Sequence, residues 1–242
     1  MRTVPTVGKA YRKTERNMAD TPFDLIIFDC DGVLVDSELL ASEVLSEILA
    51  ECDVDVPARE CRERFTGSSL KRVKELVFKS SGIELPDDFE DRVRAADRDV
   101  FEQRLRPVSG IEETLELLTI PVCVASSGTV EKITHSLKLT GLYDTLSPHL
   151  FSAEMVVRGK PAPDLFLWAA QQMSVAPERC LVVEDSPVGI KGAQAAGMTV
   201  FGFAGAAHAG PGYAEMLDLT GADMVFREMF ALPNLIQFFE KS

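Results

Sequence analysis

The sequence is short of basic residues: 25 Lys and Arg stand against 38 Asp and Glu, a formal net charge of −13. That deficit excludes a broad nucleic-acid-binding surface, because phosphate backbones are held by clustered Lys and Arg. It argues in the same way against an anionic membrane surface. Long apolar runs are also missing. Nothing approaches the roughly 18–20 residues that span a bilayer, and the most apolar stretch, 198–209, is broken by Gly202 and Gly205. There is no C-x-x-C pair, and the five cysteines (Cys30, Cys52, Cys61, Cys123, Cys180) are odd in number. Neither a disulfide framework nor a zinc site is indicated, and a reducing cytoplasm is the natural compartment. Residues 1–20 begin with a basic stretch (Arg2, Lys9, Arg12, Lys13, Arg16) that lacks the apolar centre of a secretory signal. They are expected to form a disordered tail, or an over-long start with Met18 a plausible true initiator, a short targeting segment being the lesser alternative. No internal repeat or low-complexity segment is visible.

What is present describes a globular chain. At 242 residues, 46% hydrophobic and 26% charged, it can bury a core without covalent staples. From Asp24 onward, apolar runs alternate with helix-like segments. Leu25-Ile26-Ile27-Phe28 is continuously apolar, as a strand buried on both faces should be. Similar runs lie at 121–125, 180–183 and 198–203, with a weaker one near Val225 and a short one at 150–152. Helical patterns occupy about 110–119, 129–140, 163–173 and 187–196, and Gly141 and Gly197 follow two of them as helix stops. This alternation predicts an α/β fold: a Rossmann-like parallel sheet with helices on both faces. Between Asp36 and Arg106 the pattern breaks. Helices are expected near 36–52, 57–65, 69–81 and 87–105, with no strand between them. The predicted organisation is a core of 21–35 and 107–242 with a four-helix cap domain, 36–106, inserted after the first strand.

The polar residues that need explaining fall after the strands. Asp29 and Asp31 follow the first run directly, where an open α/β sheet binds its ligands. Two carboxylates there repel one another and are costly to bury, a conflict that a bound cation resolves; a simple Asp-Gly turn is the plain alternative. Glu184 and Asp185 repeat the arrangement after the 180–183 run, and Ser186 is placed to cap the next helix ahead of Pro187. Four carboxylates on one rim suit a hard, oxygen-seeking ion such as Mg2+. Ser126 and Ser127, before Gly128, can offer hydroxyl and backbone N–H groups to an anion, although capping alone explains them. Lys160 sits on a loop stiffened by Pro161 and Pro163 and would neutralise an anionic ligand as a point charge.

Taken in order, DCDGVLVDS from Asp29's strand end, Ser126, Lys160 in GKPAP, and VVEDSPVGI resemble the four motifs of the haloacid dehalogenase superfamily of phosphohydrolases. The helical insert after the first motif is similar to β-phosphoglucomutase-like members, and 123–173 to 6-phosphogluconate phosphatase-like ones. The resemblance implies a Mg2+-dependent phosphomonoester hydrolase acting on a small phosphorylated metabolite: a sugar, polyol or sugar-acid phosphate such as 6-phosphogluconate. In it Asp29 is the nucleophile that forms an aspartyl-phosphate and Asp31 the general acid and base. The metal is held by Asp29, the Asp31 carbonyl and Asp185, with Glu184 a ligand or a partner behind them. Ser126, Ser127 and Lys160 hold the phosphoryl oxygens. Glu38, Lys71 and Arg72 of the insert are candidates for substrate selection. Mutase members carry a His where this sequence has Ala41, and no histidine lies in the insert, which favours hydrolysis. A dehalogenase would need neither Asp31 nor a metal; a phosphonate-cleaving enzyme would need a cap lysine, for which Lys71, Lys74 and Lys79 are the candidates. A catalytically silent binding or regulatory protein is the reading from another class. The expected assembly is a monomer or small homo-oligomer.

Overall fold

The computed structural model describes residues 21–239. The expected basic tail, with Met18, and the last three residues lie outside the described residues. Six strands form one parallel sheet: β1 (Leu25–Phe28), β2 (Val122–Ser126), β3 (Leu150–Ser152), β4 (Cys180–Glu184), β5 (Thr199–Phe203) and β6 (Met224–Phe226), in the order β3-β2-β1-β4-β5-β6. β1 is central, with Ile27 opposite Cys123 of β2 on one side and Val182 of β4 on the other. Successive β1 side chains enter different cores. Ile26 and Phe28 pack with Ile111, Ile133, Leu137 and Leu232; Leu25 and Ile27 pack with Leu165, Phe166, Ile190 and Leu217. This is why the β1, β4 and β5 sequences are apolar without alternation: both faces are covered by helices. On the first face lie α5 (Ile111–Leu117), α6 (Val130–Leu139) and α11 (Leu232–Phe238). On the second lie α8 (Asp164–Gln172), α9 (Pro187–Ala195) and α10 (Tyr213–Thr220).

Between β1 and α5 the chain makes four helices: α1 (Glu38–Ala50), α2 (Ala58–Phe65), α3 (Leu70–Ser81) and α4 (Phe89–Arg104). Their apolar residues recur at helical spacing, as with Val73 and Val77 or Phe89 and Val93, and meet in a hydrophobic cluster of their own. Ser69 caps α3 by accepting from the Arg72 N–H, and Gly82 ends it at φ 73°. The two crossings to the sheet run side by side. Val35 bridges Pro107, the Asp36 N–H donates to the Arg106 carbonyl (3.0 Å), and the Val108 N–H donates to that of Leu34 (3.0 Å). The insert is thus tethered at one paired junction, immediately after the strand that carries Asp29.

Three helices were not anticipated: the four-residue α7 (Tyr143–Leu146), α10 and α11. α10 starts after Gly212, in the left-handed conformation at φ 82°, and α11 carries Pro233 in its first turn. Both are start signals that a short apolar pattern obscures. Among the described residues no helix is long and apolar enough to cross a membrane.

Candidate active site

The carboxyl ends of β1, β2 and β4 meet above the centre of the sheet, and the side chains that follow them converge. The Asp29 N–H extends the ladder by donating to the Val183 carbonyl (3.0 Å), which fixes the start of the loop. The chain then closes a tight turn in which the Gly32 N–H donates to the Val35 carbonyl (2.8 Å). Gly32 has φ 77°, and a Cβ there would lie 1.9 Å from Asp185 Oδ2. Only glycine lets this turn approach β4 so closely. Gly189 is constrained alike: its Cβ would fall 1.7 Å from Glu184 Oε1.

Lys160 is the centre of the cluster. Its Nζ donates to Asp29 Oδ1 (2.6 Å) and Glu184 Oε1 (2.7 Å), and the ammonium sits 4.9 Å from the centroid of the Phe166 ring. All three charged side chains are at most 7% exposed. The loop that delivers Lys160 is braced by Arg158, which donates two bonds to Asp164 (2.9 and 2.7 Å). Glu184 is fully engaged, since its Oε2 accepts from the Ser186 N–H (2.8 Å) and hydroxyl (2.9 Å). Ser186 in turn caps α9 by accepting from the Gly189 N–H.

Asp31 faces away from this group. It accepts from Ser37 Oγ (2.5 Å) and from Lys132 Nζ (3.0 Å), a residue of α6. The two neighbouring aspartates therefore live in opposite fields. Burial, then the charges of Glu184, Asp185 and Asp31, hold the Asp29 carboxyl well above the usual carboxylate range, with Lys160 pulling against them. Burial also pushes Asp31 upward, but Lys132 and the Ser37 hydroxyl outweigh it and hold Asp31 below its ordinary value.

Carboxylate oxygens of Asp29, Glu184 and Asp185 all lie within 4.8 Å of one another. Among the described residues Lys160 is the one ammonium paired with this group, so the three carboxyls cannot all ionise without leaving negative charge uncompensated. Asp185 Oδ2 is buried without a hydrogen bond. His208 Nε2 lies 3.2 Å from it, but that nitrogen is directed at the Tyr213 hydroxyl (2.9 Å), whose proton goes to the Asp185 carbonyl (2.8 Å). His208 therefore carries its proton on Nε2, a tautomer assigned from the network, and burial favours its neutral form. An orphaned oxygen, excess negative charge and an all-oxygen donor set fit a divalent metal.

The phosphate-binding candidates stand at the end of β2. Ser126 Oγ accepts from the Gly128 N–H (3.1 Å), and Ser152 Oγ donates to the Gly128 carbonyl (2.6 Å), so the turn is pinned from two strands. Ser127 Oγ donates to the carbonyl of Gly67 in the insert (3.0 Å). Between sheet and insert lies a cleft of about 390 Å3, lined by Asp29, Asp31, Ser126 and Ser127 on the sheet side and by Glu38, Lys71 and Asp97 on the other. Arg72 does not join them: it is exposed and bonded to Glu75 (2.6 Å). The α3 helix has already begun at Leu70 and turns the residue outward, so its placement at the substrate is corrected.

Five site residues escaped the sequence reading: Lys132, His208, Tyr213, Arg62 and Asp97. Asp97 left a signal. It sits on the α4 stripe of Phe89, Val93 and Phe101, a position that packing would give to an apolar residue. It is 8% exposed, one carboxylate oxygen lacks a partner, and burial lifts its pKa to about 6.

Residues 23–197 match the haloacid dehalogenase-like hydrolase family. The 6-phosphogluconate phosphatase of Escherichia coli K12 is 33% identical over 189 residues, covering 78% of this chain and 86% of that protein. A solved haloacid dehalogenase-like protein of unknown function from Agrobacterium tumefaciens C58 superposes with a TM-score of 0.77 at 40% identity, covering 89% of this chain and 98% of that one. A family hydrolase from Deinococcus radiodurans R1, solved with bound phosphate and sodium, gives 0.71 at 31% identity, with 92% and 100% covered.

Proposed function

The chain belongs to the haloacid dehalogenase-like hydrolases, and from that premise we propose that it is a Mg2+-dependent phosphatase of small phosphorylated metabolites. The observation that carries this reading is the pair Asp29 and Asp31, two residues apart and bound to different lysines. Without a cation the Asp29 surroundings favour the neutral carboxyl and those of Asp31 the ionised one; a cation beside Asp29 would favour its ionised, nucleophilic form.

In the proposed reaction an Asp29 carboxylate oxygen attacks phosphorus in line. The Asp29–phosphorus bond forms, the ester bond breaks, and the leaving oxygen takes a proton from Asp31. In the second half Asp31 takes a proton from water, whose oxygen attacks the same phosphorus and releases Asp29. Lys132 favours the ionised Asp31 that this second step requires. A phosphoryl dianion brought beside Asp31 opposes Lys132 and raises the proton affinity needed for the first step. Ser126, Ser127 and Lys160 would hold the phosphoryl oxygens, where neutralising charge is most of the catalytic task. Asp29, Asp185 and the Asp31 carbonyl would hold Mg2+, anchored from behind by Glu184. The ion would add positive charge against the phosphoryl oxygens and keep Asp29 ionised.

We also propose that α1–α4 act as a cap that selects the substrate. The cleft is of the size that encloses a sugar-sized ligand, and the name of the Escherichia coli relative points to phosphorylated sugars and sugar acids. Ala41 lines the cleft, and its methyl group cannot carry the proton that a mutase passes between sugar oxygens. The five cysteines are unpaired, which suits a reducing cytoplasm. The test is phosphate release from a panel of phosphorylated sugars, polyols and sugar acids, with Mg2+ and with EDTA. Mg2+-dependent turnover of at least one is expected; no turnover of any with Mg2+ would overturn the proposal.

A further inference from the structure

We propose that Arg62 binds a carboxylate on the leaving group, so that the preferred substrate is a phosphorylated sugar acid rather than a neutral sugar or polyol phosphate. The inference rests on the phosphatase reading and deepens it.

Four cationic side chains line the cleft: Arg62, Lys71, Arg94 and Lys132. Arg94 is satisfied within its own helix by Glu90 (2.6 Å) and Asp91 (3.1 Å), and Lys132 by Asp31. Lys71 is exposed to solvent at the rim. Arg62, on α2, is half-buried, and its guanidinium has no hydrogen-bond or ion-pair partner among the described residues. A guanidinium that has lost part of its water and gained no acceptor is disfavoured. Its planar fork of donors matches a carboxylate in two parallel bonds.

The neighbouring acid does not fill this role. Thr66 Oγ1 donates to the Arg62 carbonyl (2.7 Å) and to Glu38 Oε2 (3.2 Å), which places Glu38 beside the foot of Arg62. Burial, with Asp185 and Asp31 next in effect, raises Glu38 to about 8, and its carboxyl makes no ion pair with the guanidinium, accepting instead from Thr66. The Arg62 charge is felt at His208 and Tyr213, both beside Asp185. Arg62 lines the same cleft as Asp29 and Asp31 and is only partly open to water. Among the described residues that line the space, the charged groups other than Arg62 and the exposed Lys71 are acidic or already paired, so Arg62 is the half-buried cation left to offset an anionic leaving group. One guanidinium balances the single charge of a carboxylate, whereas a second phosphoryl dianion would leave negative charge uncompensated, which favours the planar monoanion.

The experiment compares kcat/KM for 6-phosphogluconate and glucose 6-phosphate, which differ at the carbon distant from the phosphate, in the Mg2+-loaded wild-type enzyme, Arg62→Gln and Arg62→Lys. The wild type should favour the acid. Arg62→Gln should lower the ratio of the two kcat/KM values about 10–100-fold, mostly through KM, the range expected for a lost charge-assisted pair. Arg62→Lys should recover part of it, because charge remains and the fork is gone. A ratio within threefold of wild type in Arg62→Gln would overturn the proposal, as would a wild-type preference for glucose 6-phosphate. Inactivity of the wild type toward both, and toward an aryl phosphate, would instead overturn the phosphatase reading beneath it.

Discussion

Replacing Lys160 by Met should destabilise the metal-free protein strongly and in a pH-dependent way. The ammonium bonds two carboxylates at 2.6 and 2.7 Å with all three side chains nearly inaccessible. Methionine keeps an unbranched chain against Phe166, so little packing is lost and the change is mainly one of charge. Removing one partner of a buried ion pair costs about 3–5 kcal/mol. In a chain of this length each kcal/mol moves Tm by about 2–4 °C, so Tm should fall by about 6–20 °C near pH 8. Without the ammonium, Asp29 and Asp185, already above the ordinary 3.8, rise further. A carboxyl whose folded value lies above its unfolded one contributes most below the unfolded value, and the contribution is lost as pH rises through the folded value. The deficit against wild type should therefore be small near pH 4 and full at pH 8. Calorimetry in EDTA at both pH values tests this. A deficit under 2 °C at pH 8, or an equal deficit at both, would refute the reasoning.

Two further substitutions probe the residues around Asp31 and Asp185. Lys132→Met leaves Asp31 with burial as its dominant influence, so its carboxyl should titrate higher; the acid limb of the kcat profile should move to higher pH, and kcat should fall about 10–100-fold, as steady-state rates from pH 4 to 9 will show. Tyr213→Phe removes the hydroxyl that donates to the Asp185 carbonyl and accepts from His208. A net loss of about 1 kcal/mol should weaken Mg2+ binding roughly fivefold, read by calorimetric titration, while KM for substrate at saturating Mg2+ changes less.

The parts of the site legible in the sequence are those that follow buried strands. Asp29 and Asp185 stand out because an uninterrupted apolar run has to end at the ligand-binding rim of a parallel sheet, and the residues after it inherit that place; Ser126 is a weak signal by itself, since capping explains it, and takes its role from the resemblance to the superfamily motifs. Lys160, on a loop stiffened by prolines, reads by itself as solvated surface and gains its place from the four carboxylates expected on the same rim and from the resemblance to the superfamily motifs. Lys132, His208 and Tyr213 were missed because their role depends on where α6, α10 and the loop before α10 fall in space. Lys132 lies in a helix whose sequence reads as an ordinary amphipathic surface segment, and 101 residues separate it from Asp31. The insert was legible as four helices because its apolar residues repeat at helical spacing. Which of its charges face the cleft was not, since a rotation of α3 separates Lys71, which lines it, from Arg72, which pairs with Glu75.

The central claim is that Asp29 becomes covalently phosphorylated. Rapid quenching of the Mg2+-loaded enzyme with a phosphorus-labelled substrate, followed by peptide mapping, measures this directly. The account predicts transient, hydroxylamine-labile label on the peptide carrying Asp29, absent from Asp29→Asn, which should also release no phosphate. Steady phosphate release without label on that peptide at any time, or turnover by Asp29→Asn, would contradict it.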